Sequence, residues 1–530
     1  MGRRRPLPRL SLAAAATLVV LATAAVALAA VGPPTQASGL SPFAANCHGA
    51  PQSGTLYVNS EVEPWIDVNP ANPANLIGVY QQDRFSNGGA SGLGTSVSFD
   101  GGASWQRLTL AAEPRFSRCM GAAPGSVGDY ERATDPWVSF GPDGDAYQIS
   151  LSFNDNRDLA NALLVSESKD GGLTWSAPIE ILRDTDPNVF NDKETITADW
   201  TDARYVYAIW DRLVFPKERA GGVSFLTTAA FRGPAYFARS TDGGATWEPA
   251  RAIFDPGQND QTIGNQIVVM PDGDLVDGTT VFRNDNKGGR SGGFVSVLRS
   301  TDKGVTWSGE IPVAALGTVG IRDPETGAAV RTGDILPQIA SDERAGTDNV
   351  YLVWQDARFT GFQRDQIAFS KSTDGGLTWS APVRINNRRF ATQAFTPAIR
   401  VDAGGNLAVV YYDFRNNDVG DAPLETDVWL VRSTDGGATW REERVTSVPF
   451  DMRAAPVARG FFTGDYIGLA SAGTTFTPFW SASDFDPDGT DAFGATASAP
   501  FGGELIVPDA APAGLTAKDF PAQRGKPTPR

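Results

Sequence analysis

The sequence predicts an all-β protein, namely a β-propeller of four-stranded blades with its repeated hairpins on one face. The main observation is an octapeptide of the form S-x-D-x-G-x-(T/S)-W that occurs six times, with its aspartate at positions 100, 170, 242, 302, 374 and 435. A β-rich run precedes each copy and another follows it. Because such a repeat marks supersecondary units that bury their cores only against their neighbours, it indicates one large β domain.

Each fixed position of the octapeptide has a mechanical role in a hairpin. The aspartate carboxylate can accept hydrogen bonds from backbone N–H groups further along the turn. The glycine tolerates a positive φ, and the tryptophan restarts a strand with a large apolar anchor. Since turn chemistry alone accounts for every fixed residue, we interpret the octapeptide as structural.

The number of blades follows from the first strand of each unit. Runs predicted to be first strands recur at residues 65–68, 137–140, 195–198, 266–269, 335–340, 398–401 and 466–470. Six octapeptides favour six blades, whereas seven first strands favour seven, which is the preferred count. The seventh unit has no octapeptide, and residues 56–58 are the candidate for its missing outer strand, which would close the ring and remove free sheet edges.

The predicted organisation is a signal peptide at 1–30, a linker at 31–54, the propeller at 55–505 and a loose tail at 506–530. Arginines near the N-terminus precede an Ala/Leu/Val run that ends in Ala27-Leu28-Ala29, the pattern of a cleaved export signal. An uncleaved anchor is the alternative, because the run approaches the length that spans a bilayer. We expect a secreted or cell-surface protein with no membrane insertion after signal removal.

The composition of the chain excludes some classes of binding partner and some catalytic mechanisms. Lysine and arginine total 45 against 61 acidic residues, a net charge of −16, which argues against binding to nucleic acid or anionic membranes. Cys47 and Cys119 suit an exported protein with at most one disulfide, and two free thiols are the alternative. The single histidine, His48, excludes a Ser-His-Asp triad in the core and a multi-histidine zinc site. A monomer is expected.

The face opposite the octapeptides is the predicted site of chemistry. In an up-and-down blade it gathers the starts of first strands and the ends of second strands, and binding residues usually lie on loops held by a rigid scaffold. Both kinds of position are rich in charge. The acidic residues are Glu61, Glu63, Glu131, Asp135, Asp192, Glu194, Asp260, Asp334, Asp465, Asp83, Asp155, Asp211, Asp356 and Asp413, and the arginines are Arg84, Arg157, Arg212, Arg283, Arg358 and Arg415. A ring of structural ion pairs between blades is the alternative reading.

With the octapeptides and the Asp/Arg strand ends in view, the chain resembles the sialidase-like (neuraminidase, Asp-box or BNR-repeat) family over roughly residues 56–500. The resemblance implies a propeller and, for true sialidases, retaining hydrolysis of terminal sialic acid. In that family three arginines hold the substrate carboxylate, a tyrosine beside a glutamate is the nucleophile, and an aspartate is the acid/base.

The resemblance carries over to particular residues only in part. It makes Tyr466 the candidate nucleophile, Glu63 and Glu194 candidate catalytic carboxylates, and Asp83 the candidate acid. Asp356-Ala-Arg358, Asp413-Phe-Arg415 and Asp83-Arg84 look like the family's strand ends, so Arg84, Arg358 and Arg415 are the candidate substrate-binding arginines. Two departures stand out. Glu63-Pro64-Trp65 occupies the place of the family's Arg-Ile-Pro, and the loop after Arg84 contains no aspartate.

A metal signal lies in the seventh unit. Asp484, Asp486, Asp488 and Asp491 form a D-x-D-x-D-G-x-D pattern, in which alternating carboxylates and a glycine turn match a Ca²⁺ loop. A solvated acidic turn is the alternative, because the glutamate that completes an EF-hand is missing. No cofactor is required by the predicted chemistry, and calcium would be structural.

Two classes of function remain open from the sequence. The first is a secreted sialidase-like glycoside hydrolase that acts on terminal sugars of glycans, including exo-α-sialidase activity. The second is a non-catalytic propeller that binds a glycan or a protein on the face opposite the octapeptides.

Overall fold

The computed structural model describes residues 1–2, 31–215, 232–283, 292–389, 391–483, 489–516 and 519–521. The helical pieces within these ranges are two short 3₁₀ turns, Arg358–Thr360 and Met452–Ala454, so the all-β prediction is confirmed. None of the helices in the described ranges has the length and apolar character needed to cross a bilayer. The predicted signal peptide lies outside these ranges except for its first two residues.

Most strands form antiparallel sheets of consecutive strands, which we number along the chain. The N-terminal half contains β1 (Thr35–Gln36); sheet 1 with β2 (Leu56–Val68), β3 (Leu76–Phe85), β4 (Ala90–Ser98) and β5 (Gln106–Arg107); sheet 2 with β6 (Arg132–Phe140), β7 (Ala146–Phe153), β8 (Asn161–Ser168) and β9 (Ile179–Asp184); sheet 3 with β10 (Val189–Ala198), β11 (Val206–Val214), β12 (Ala235–Ser240) and β13 (Arg251–Phe254); and sheet 4 with β14 (Gln261–Val269), β15 (Leu275–Arg283), β16 (Gly292–Ser300) and β17 (Ile311–Ala315). A single residue pair, Ala90 with Ala133, joins sheets 1 and 2.

The C-terminal half continues the pattern with shorter additions. It contains β18 (Ile321–Arg322) and β19 (Ala329–Arg331); sheet 5 with β20 (Gln338–Ser341), β21 (Val350–Asp356), β22 (Gln366–Ser372) and β23 (Val383–Arg384); sheet 6 with β24 (Ala394–Val401), β25 (Leu407–Asp413), β26 (Glu425–Ser433) and β27 (Trp440–Arg444); β28 (Phe450–Asp451) and β29 (Phe461–Phe462); sheet 7 with β30 (Gly468–Ala472), β31 (Thr475–Ser483) and β32 (Thr490–Gly494); and β33 (Glu504–Ile506) and β34 (Asp509–Ala510). The segments β18, β19 and β29 form a small sheet, in which β19 and β29 are parallel.

Neighbouring sheets cover one another's faces, which explains the apolar second strands. All seven residues of β21, Val-Tyr-Leu-Val-Trp-Gln-Asp, are buried, as expected for a strand enclosed on both faces. The first strands contact each other in chain order, from β2 and β6 onward, and β30 of sheet 7 contacts β2 of sheet 1. The starts of the first strands are thereby brought to the centre of the molecule.

The octapeptides all close their hairpins with the same hydrogen bonds. In the fifth copy the Ser372 hydroxyl donates to Asp374 Oδ1 at 2.7 Å, and the Thr378 N–H and hydroxyl donate to the two oxygens of Asp374 at 2.8 and 2.5 Å. Equivalent bonds occur in the other five copies. Turn chemistry therefore does explain the fixed serine, aspartate and threonine.

The octapeptides also join each sheet to the preceding one. Gly244 has φ +84°, and a Cβ at this position would lie 2.6 Å from the Tyr147 ring on β7 of the preceding sheet. The Trp307 ring meets Phe237 of β12 edge-on, with centroids 5.4 Å apart. Equivalent close approaches to the preceding sheet occur at Gly172, Gly304 and Gly437. The glycine is thus needed for close packing as well as for its backbone conformation.

Residues 31–54 pack against the sheets, although the sequence suggested a linker. Thr35 and Gln36 of β1 pair with Gly494 and Phe493, so β1 is the outer strand of sheet 7. The prediction that residues 56–58 supply that strand is wrong, because Leu56 and Tyr57 extend β2 and pair with β3 inside sheet 1. Cys47 and Cys119 form a disulfide that ties this segment to the loop after sheet 1.

Part of the predicted tail also joins the sheets. The strand β33 pairs with β27 at the edge of sheet 6, and β34 pairs with β23 at the edge of sheet 5. Both edges are thereby covered, which reduces unpaired backbone groups at the rim.

A bulge recurs near the start of the first strands. The pairing of the first and second strands skips residues in sheets 1, 2, 3, 4 and 6. At each skip one residue has a positive φ, namely Glu63 (53°), Asp135 (49°), Lys193 (53°), Gly264 (73°) and Thr396 (49°). Such a conformation is costly for residues other than glycine and is typically retained at functional sites.

Candidate functional site

Three of these bulges aim charged side chains at one point in the centre. Lys193 Nζ lies 3.0 Å from Glu63 Oε1, 2.7 Å from Asp135 Oδ1 and 3.0 Å from Asp465 Oδ2. The lysine side chain is only 11% exposed, so the ammonium sits among three nearly buried carboxylates. We call Glu63, Asp135, Lys193, Arg331 and Asp465 the central cluster.

The ionised form of Asp465 is stabilised by the two cations of the central cluster, Arg331 and Lys193. Arg331 donates to both of its oxygens, with Nε to Oδ1 at 3.1 Å and Nη2 to Oδ2 at 2.5 Å. Burial alone would raise the pKa of Asp465, but Arg331 and Lys193 outweigh burial and hold that pKa well below its usual value. Burial raises the pKa of Glu63 to about 7, although Lys193 opposes the rise. One carboxyl is thus held ionised while another titrates near neutrality.

Arginines gather beside the central cluster on the ring of Phe462. The guanidinium carbon of Arg331 is 4.2 Å from the Phe462 ring centroid, and the guanidinium carbon of Arg84 is 4.9 Å from the same centroid. Burial and the charge of Arg331 both lower the pKa of Arg84. The charge of Arg331, together with burial of the guanidinium by its neighbours, lowers the pKa of Arg459 to about 10. Three guanidiniums therefore lie close enough to repel one another, which favours an anionic ligand between them.

Tyr466 follows Asp465 directly and is packed against aromatic rings. Trp65 and Trp137 stack on each other with centroids 3.4 Å apart, and both meet the Tyr466 ring edge-on, at 6.3 and 5.4 Å. The Tyr466 hydroxyl donates to the Pro136 carbonyl oxygen at 3.1 Å. Burial, with the charges of Glu63 and nearby acids, raises the pKa of Tyr466 well above its usual value.

Glu194 and Tyr466 line the same small cavity. Its volume is about 20 Å³, enough for a water molecule but too small for a sugar ring. Lys193, Asn265, Gln266 and other side chains complete the lining. Glu194 is 1% exposed, and neither of its carboxyl oxygens has a hydrogen-bond partner in the described part of the chain. Burial, reinforced by the charge of Asp135, raises the pKa of Glu194 well above its usual value.

The structure places the other predicted site residues differently. Asp83 accepts hydrogen bonds from the Ser41 hydroxyl at 2.7 Å and the Asn59 N–H at 2.9 Å, so it holds the N-terminal segment. Arg358 bonds to Asp356 and to the Ala315 carbonyl. The structure therefore brings Tyr466, Glu63, Glu194 and Arg84 close together in the centre, whereas Asp83 and Arg358 have their partners elsewhere.

Arg415 is likewise committed within its own sheet. Its guanidinium bonds to Asp413 at 2.6 Å and to Glu442 at 2.5 Å, and lies 3.7 Å from the Trp429 ring centroid. Arg358 and Arg415 are therefore each bonded to a different set of protein groups. This agrees with the alternative reading, in which an Asp/Arg strand end forms a structural ion pair.

The candidate calcium residues lie mostly outside the described ranges. Asp484, Asp486 and Asp488 are in residues 484–488, and Asp491 is described. Asp491 Oδ1 accepts hydrogen bonds from Gln36 Nε2 at 2.8 Å and from the Ser38 hydroxyl at 2.7 Å. Among the described residues an acidic group that could hold an ion is the exposed set Asp418, Asp421 and Glu425, but nothing identifies calcium there.

Sequence reasoning missed the roles of Lys193 and Arg459. Lys193 has no charge-pattern signal, because it stands between Asp192 and Glu194 in an acidic stretch. A usable signal was the recurrence of Glu63-Pro64-Trp65, Asp135-Pro136-Trp137 and Thr396-Pro397-Ala398 at the same place in three units. This recurrence marks the bulge, and the residue before each proline is the one with positive φ.

No family model matches the chain. Among curated proteins, a xyloglucanase of a Paenibacillus species is 30% identical over 216 residues, which cover 38% of this chain and 18% of that protein. Xyloglucanase Xgh74A of Acetivibrio thermocellus is 26% identical over 285 residues, 41% of this chain and 31% of that protein. The chain thus spans less than a third of the length of these relatives.

The solved structures similar to this chain include sialidases and other carbohydrate-active proteins. Hadza microbial sialidase Hz136 has a TM-score of 0.45 and 16% identity over 70% of this chain and 67% of that one. A leech intramolecular trans-sialidase has a TM-score of 0.40 and 12% identity, with 79% of this chain and 82% of that one covered. The α-L-arabinanase of Penicillium chrysogenum has a TM-score of 0.42 and 9% identity, with 89% and 97% covered.

Proposed function

We propose that this protein is an exported, sialidase-like glycoside hydrolase that removes terminal, negatively charged sugars from glycans. The observation that carries the proposal is the gathering of Arg84, Arg331 and Arg459 beside the central cluster and Tyr466. Guanidiniums bind carboxylates through charge-assisted, often bidentate hydrogen bonds. An acidic sugar is therefore the substrate class that this charge arrangement favours.

The reaction assigns one role to each central group. Tyr466 attacks the anomeric carbon through its hydroxyl oxygen. This requires the hydroxyl to leave the Pro136 carbonyl that it now contacts and the cavity beside Tyr466 to widen enough to admit a sugar ring. Glu63 accepts the hydroxyl proton, and its pKa of about 7 suits a base at neutral pH. Arg84 and Arg331 hold the sugar carboxylate, for which Arg331 gives up one of its two hydrogen bonds to Asp465. The covalent intermediate is then hydrolysed by water, with retention of configuration.

The overall architecture proposed here is a closed, seven-bladed β-propeller in which the octapeptides are Asp-boxes. Contacts between successive first strands, and between β30 and β2, support closure. The curated relatives are xyloglucanases by name, which supports a glycan as the substrate. Export by the N-terminal signal, a monomeric state, and structural calcium at residues 484–491 belong to the same proposal. Sequencing the N-terminus of secreted protein, and light scattering with and without chelator, test these points.

The test is hydrolysis of a fluorogenic sialoside, followed by a panel of neutral and uronic acid glycosides, from acid to neutral pH. Tyr466→Phe should abolish turnover. Tyr147→Phe is a matched control, because the hydroxyl of Tyr147 is also bonded to a backbone carbonyl, that of Gly243 at 3.0 Å, near an octapeptide. If the wild type turns over none of the substrates, the hydrolase proposal fails.

A non-catalytic glycan-binding propeller is the second candidate, and the position of Lys193 favours it. The ammonium pairs with Glu63, the base that catalysis would use, and with the neighbouring carboxylates of Asp135 and Asp465. This candidate expects sialic acid or a sialylated oligosaccharide to bind by calorimetry with no turnover, and Arg331→Gln to abolish binding. The hydrolase proposal instead expects product release.

A further inference from the structure

We infer that Glu194 is the proton donor of the central site. This inference rests on the proposed hydrolase function, and it replaces Asp83, the acid suggested by the sequence. Asp83 is unsuited to the role because both of its carboxyl oxygens accept hydrogen bonds, one from the Ser41 hydroxyl and one from the Asn59 N–H of β2. Glu194 instead lines a cavity that it shares with Tyr466.

The surroundings of Glu194 suit an acid that must be protonated before the reaction. It is 1% exposed, and both carboxyl oxygens are without hydrogen-bond partners among the described residues. The charged groups that face it are Asp135 on β6 and Asp192 and Lys193 on its own strand. Burial and the two aspartates keep its pKa well above the usual value against the opposing charge of Lys193. A neutral carboxylic acid at neutral pH is what donation to a leaving group needs.

The central site thereby contains carboxyls with opposite tendencies. Arg331 and Lys193 hold the pKa of Asp465 well below its usual value, whereas burial raises the pKa of Glu194 well above its usual value. Environments that push two carboxyl pKa values apart identify the acid and the charge-stabilising group of an active site. Asp465 lies next to Tyr466 in the chain, and Glu194 reaches Tyr466 from β10.

The proton transfers balance over one turnover. The Glu194 hydroxyl proton passes to the glycosidic oxygen as the bond to the anomeric carbon breaks, and the leaving group departs as an alcohol. Tyr466 oxygen forms the new bond to the anomeric carbon. As this bond forms, the Tyr466 hydroxyl proton passes to Glu63. Water then attacks the anomeric carbon and breaks its bond to the Tyr466 oxygen. The Glu194 carboxylate takes a proton from this water, and Glu63 returns its proton to the Tyr466 oxygen, which restores all three side chains. The net reaction consumes one water for each glycosidic bond.

The role of Glu194 is tested with two substrates of the same sugar, one with a sugar leaving group and one with a 4-methylumbelliferyl group. General-acid catalysis is worth about 10²–10⁴-fold, but a leaving group of low pKa needs little protonation. Glu194→Gln should therefore lower kcat/KM of the sugar-linked substrate by about 10²-fold or more and spare kcat/KM of the aryl substrate, because kcat/KM reports the step in which the leaving group departs. Every comparison of the two substrates below is made on kcat/KM. A merely structural role would lower both equally.

Two matched variants and a spectroscopic readout complete the design. Asp277 is also fully buried with both oxygens unpartnered in the described ranges, yet it does not line the cavity. Asp277→Asn should show no leaving-group dependence, and neither should Asp83→Asn. A leaving-group dependence in Asp83→Asn, or an equal loss on both substrates in Glu194→Gln, overturns the inference. Wild-type inactivity on both substrates instead overturns the proposed function.

Infrared difference spectra test the protonation without any substrate. The wild type minus Glu194→Gln difference at neutral pH should contain the C=O band of a protonated carboxylic acid that shifts in heavy water. A carboxylate band in its place contradicts the assignment of Glu194 as the acid, whether or not the protein is active.

Discussion

Replacing Lys193 with methionine removes the charge at the centre of the molecule while keeping the length of the side chain. Glu63, Asp135 and Asp465, all within 3.0 Å of the ammonium nitrogen, then lose their shared counterion, and of the three Asp465 keeps its pair with Arg331. Removing one partner of a buried ion pair costs about 3–5 kcal/mol. The unfolding entropy of a chain of 530 residues is about 1.1 kcal/mol/K, so the melting temperature should fall by about 3–5 °C.

The pH dependence of this variant has the opposite sign to that of the wild type. In the wild type the pKa of Asp465 is depressed, so its contribution to stability is present above the unfolded pKa and is lost as pH falls through the folded pKa. In Lys193→Met the pKa of Glu63, which Lys193 lowers in the wild type, rises further, and the stability that protonated Glu63 retains is lost as pH rises. The stability deficit should therefore shrink as pH falls through about 7, the pKa of Glu63.

Calorimetry at several pH values measures both effects, with Lys169→Met as the control. Lys169 also lies near two carboxylates, Asp145 and Glu167, but its side chain is 69% exposed. Exposed pairs contribute little, so the control should change stability by less than about 1 kcal/mol at every pH. If Lys193→Met behaves like Lys169→Met, or its deficit grows on acidification, the account of the central cluster is wrong.

Three further predictions concern the fold. Gly244→Ala should lower the free energy of unfolding, measured by urea denaturation, by about 1–3 kcal/mol because its Cβ would lie 2.6 Å from an aromatic ring. Gly243→Ala, with nothing nearer than 3.6 Å, should cost less, and equal losses contradict the docking role. Asp374→Ala removes three hydrogen bonds and should cost about 1.5–4 kcal/mol in the same assay, and a neutral result refutes the hairpin lock. The Cys47→Ser/Cys119→Ser double variant opens a loop with a separation of 72 residues and should lose about 2–5 kcal/mol of stability by calorimetry. An unchanged stability of the double variant, or a wild type that a reductant does not destabilise, would show that the disulfide does not stabilise the fold.

The repeat made the sheets predictable because its chemistry is local. A serine, an aspartate and a threonine at fixed spacing bond to one another within eight residues, so the hairpins can be read from the sequence. The outer strand of sheet 7 could not be read in this way. Thr35 pairs with Gly494, and only the closing of the chain on itself brings these distant residues together.

The residues of the candidate site could be predicted only where their position along a strand decides that they reach the centre. Glu63 and Glu194 lie at or beside the bulges of β2 and β10, and Tyr466 lies just before β30. These parts of the first strands meet in the centre, so topology gathers the three side chains. Arg358 and Arg415 occupy equally plausible strand ends, but each has a carboxylate two residues away that captures it. Arg331 ends the short strand β19 and Arg459 lies just before β29, so their convergence depends on the long-range pairing of these two strands.

The most direct test of the central claim compares kcat/KM on a fluorogenic sialoside for the wild type, Arg331→Gln and Arg322→Gln. Arg331 belongs to the central cluster, whereas Arg322, on the adjacent strand β18, is exposed and bonds to the Gly327 carbonyl at 3.1 Å. If the centre is a hydrolytic site for acidic sugars, the wild type is active, Arg331→Gln loses about 100-fold or more through lost positioning, and Arg322→Gln keeps its activity. An inactive wild type, or an Arg331→Gln variant that is folded and fully active, contradicts the account.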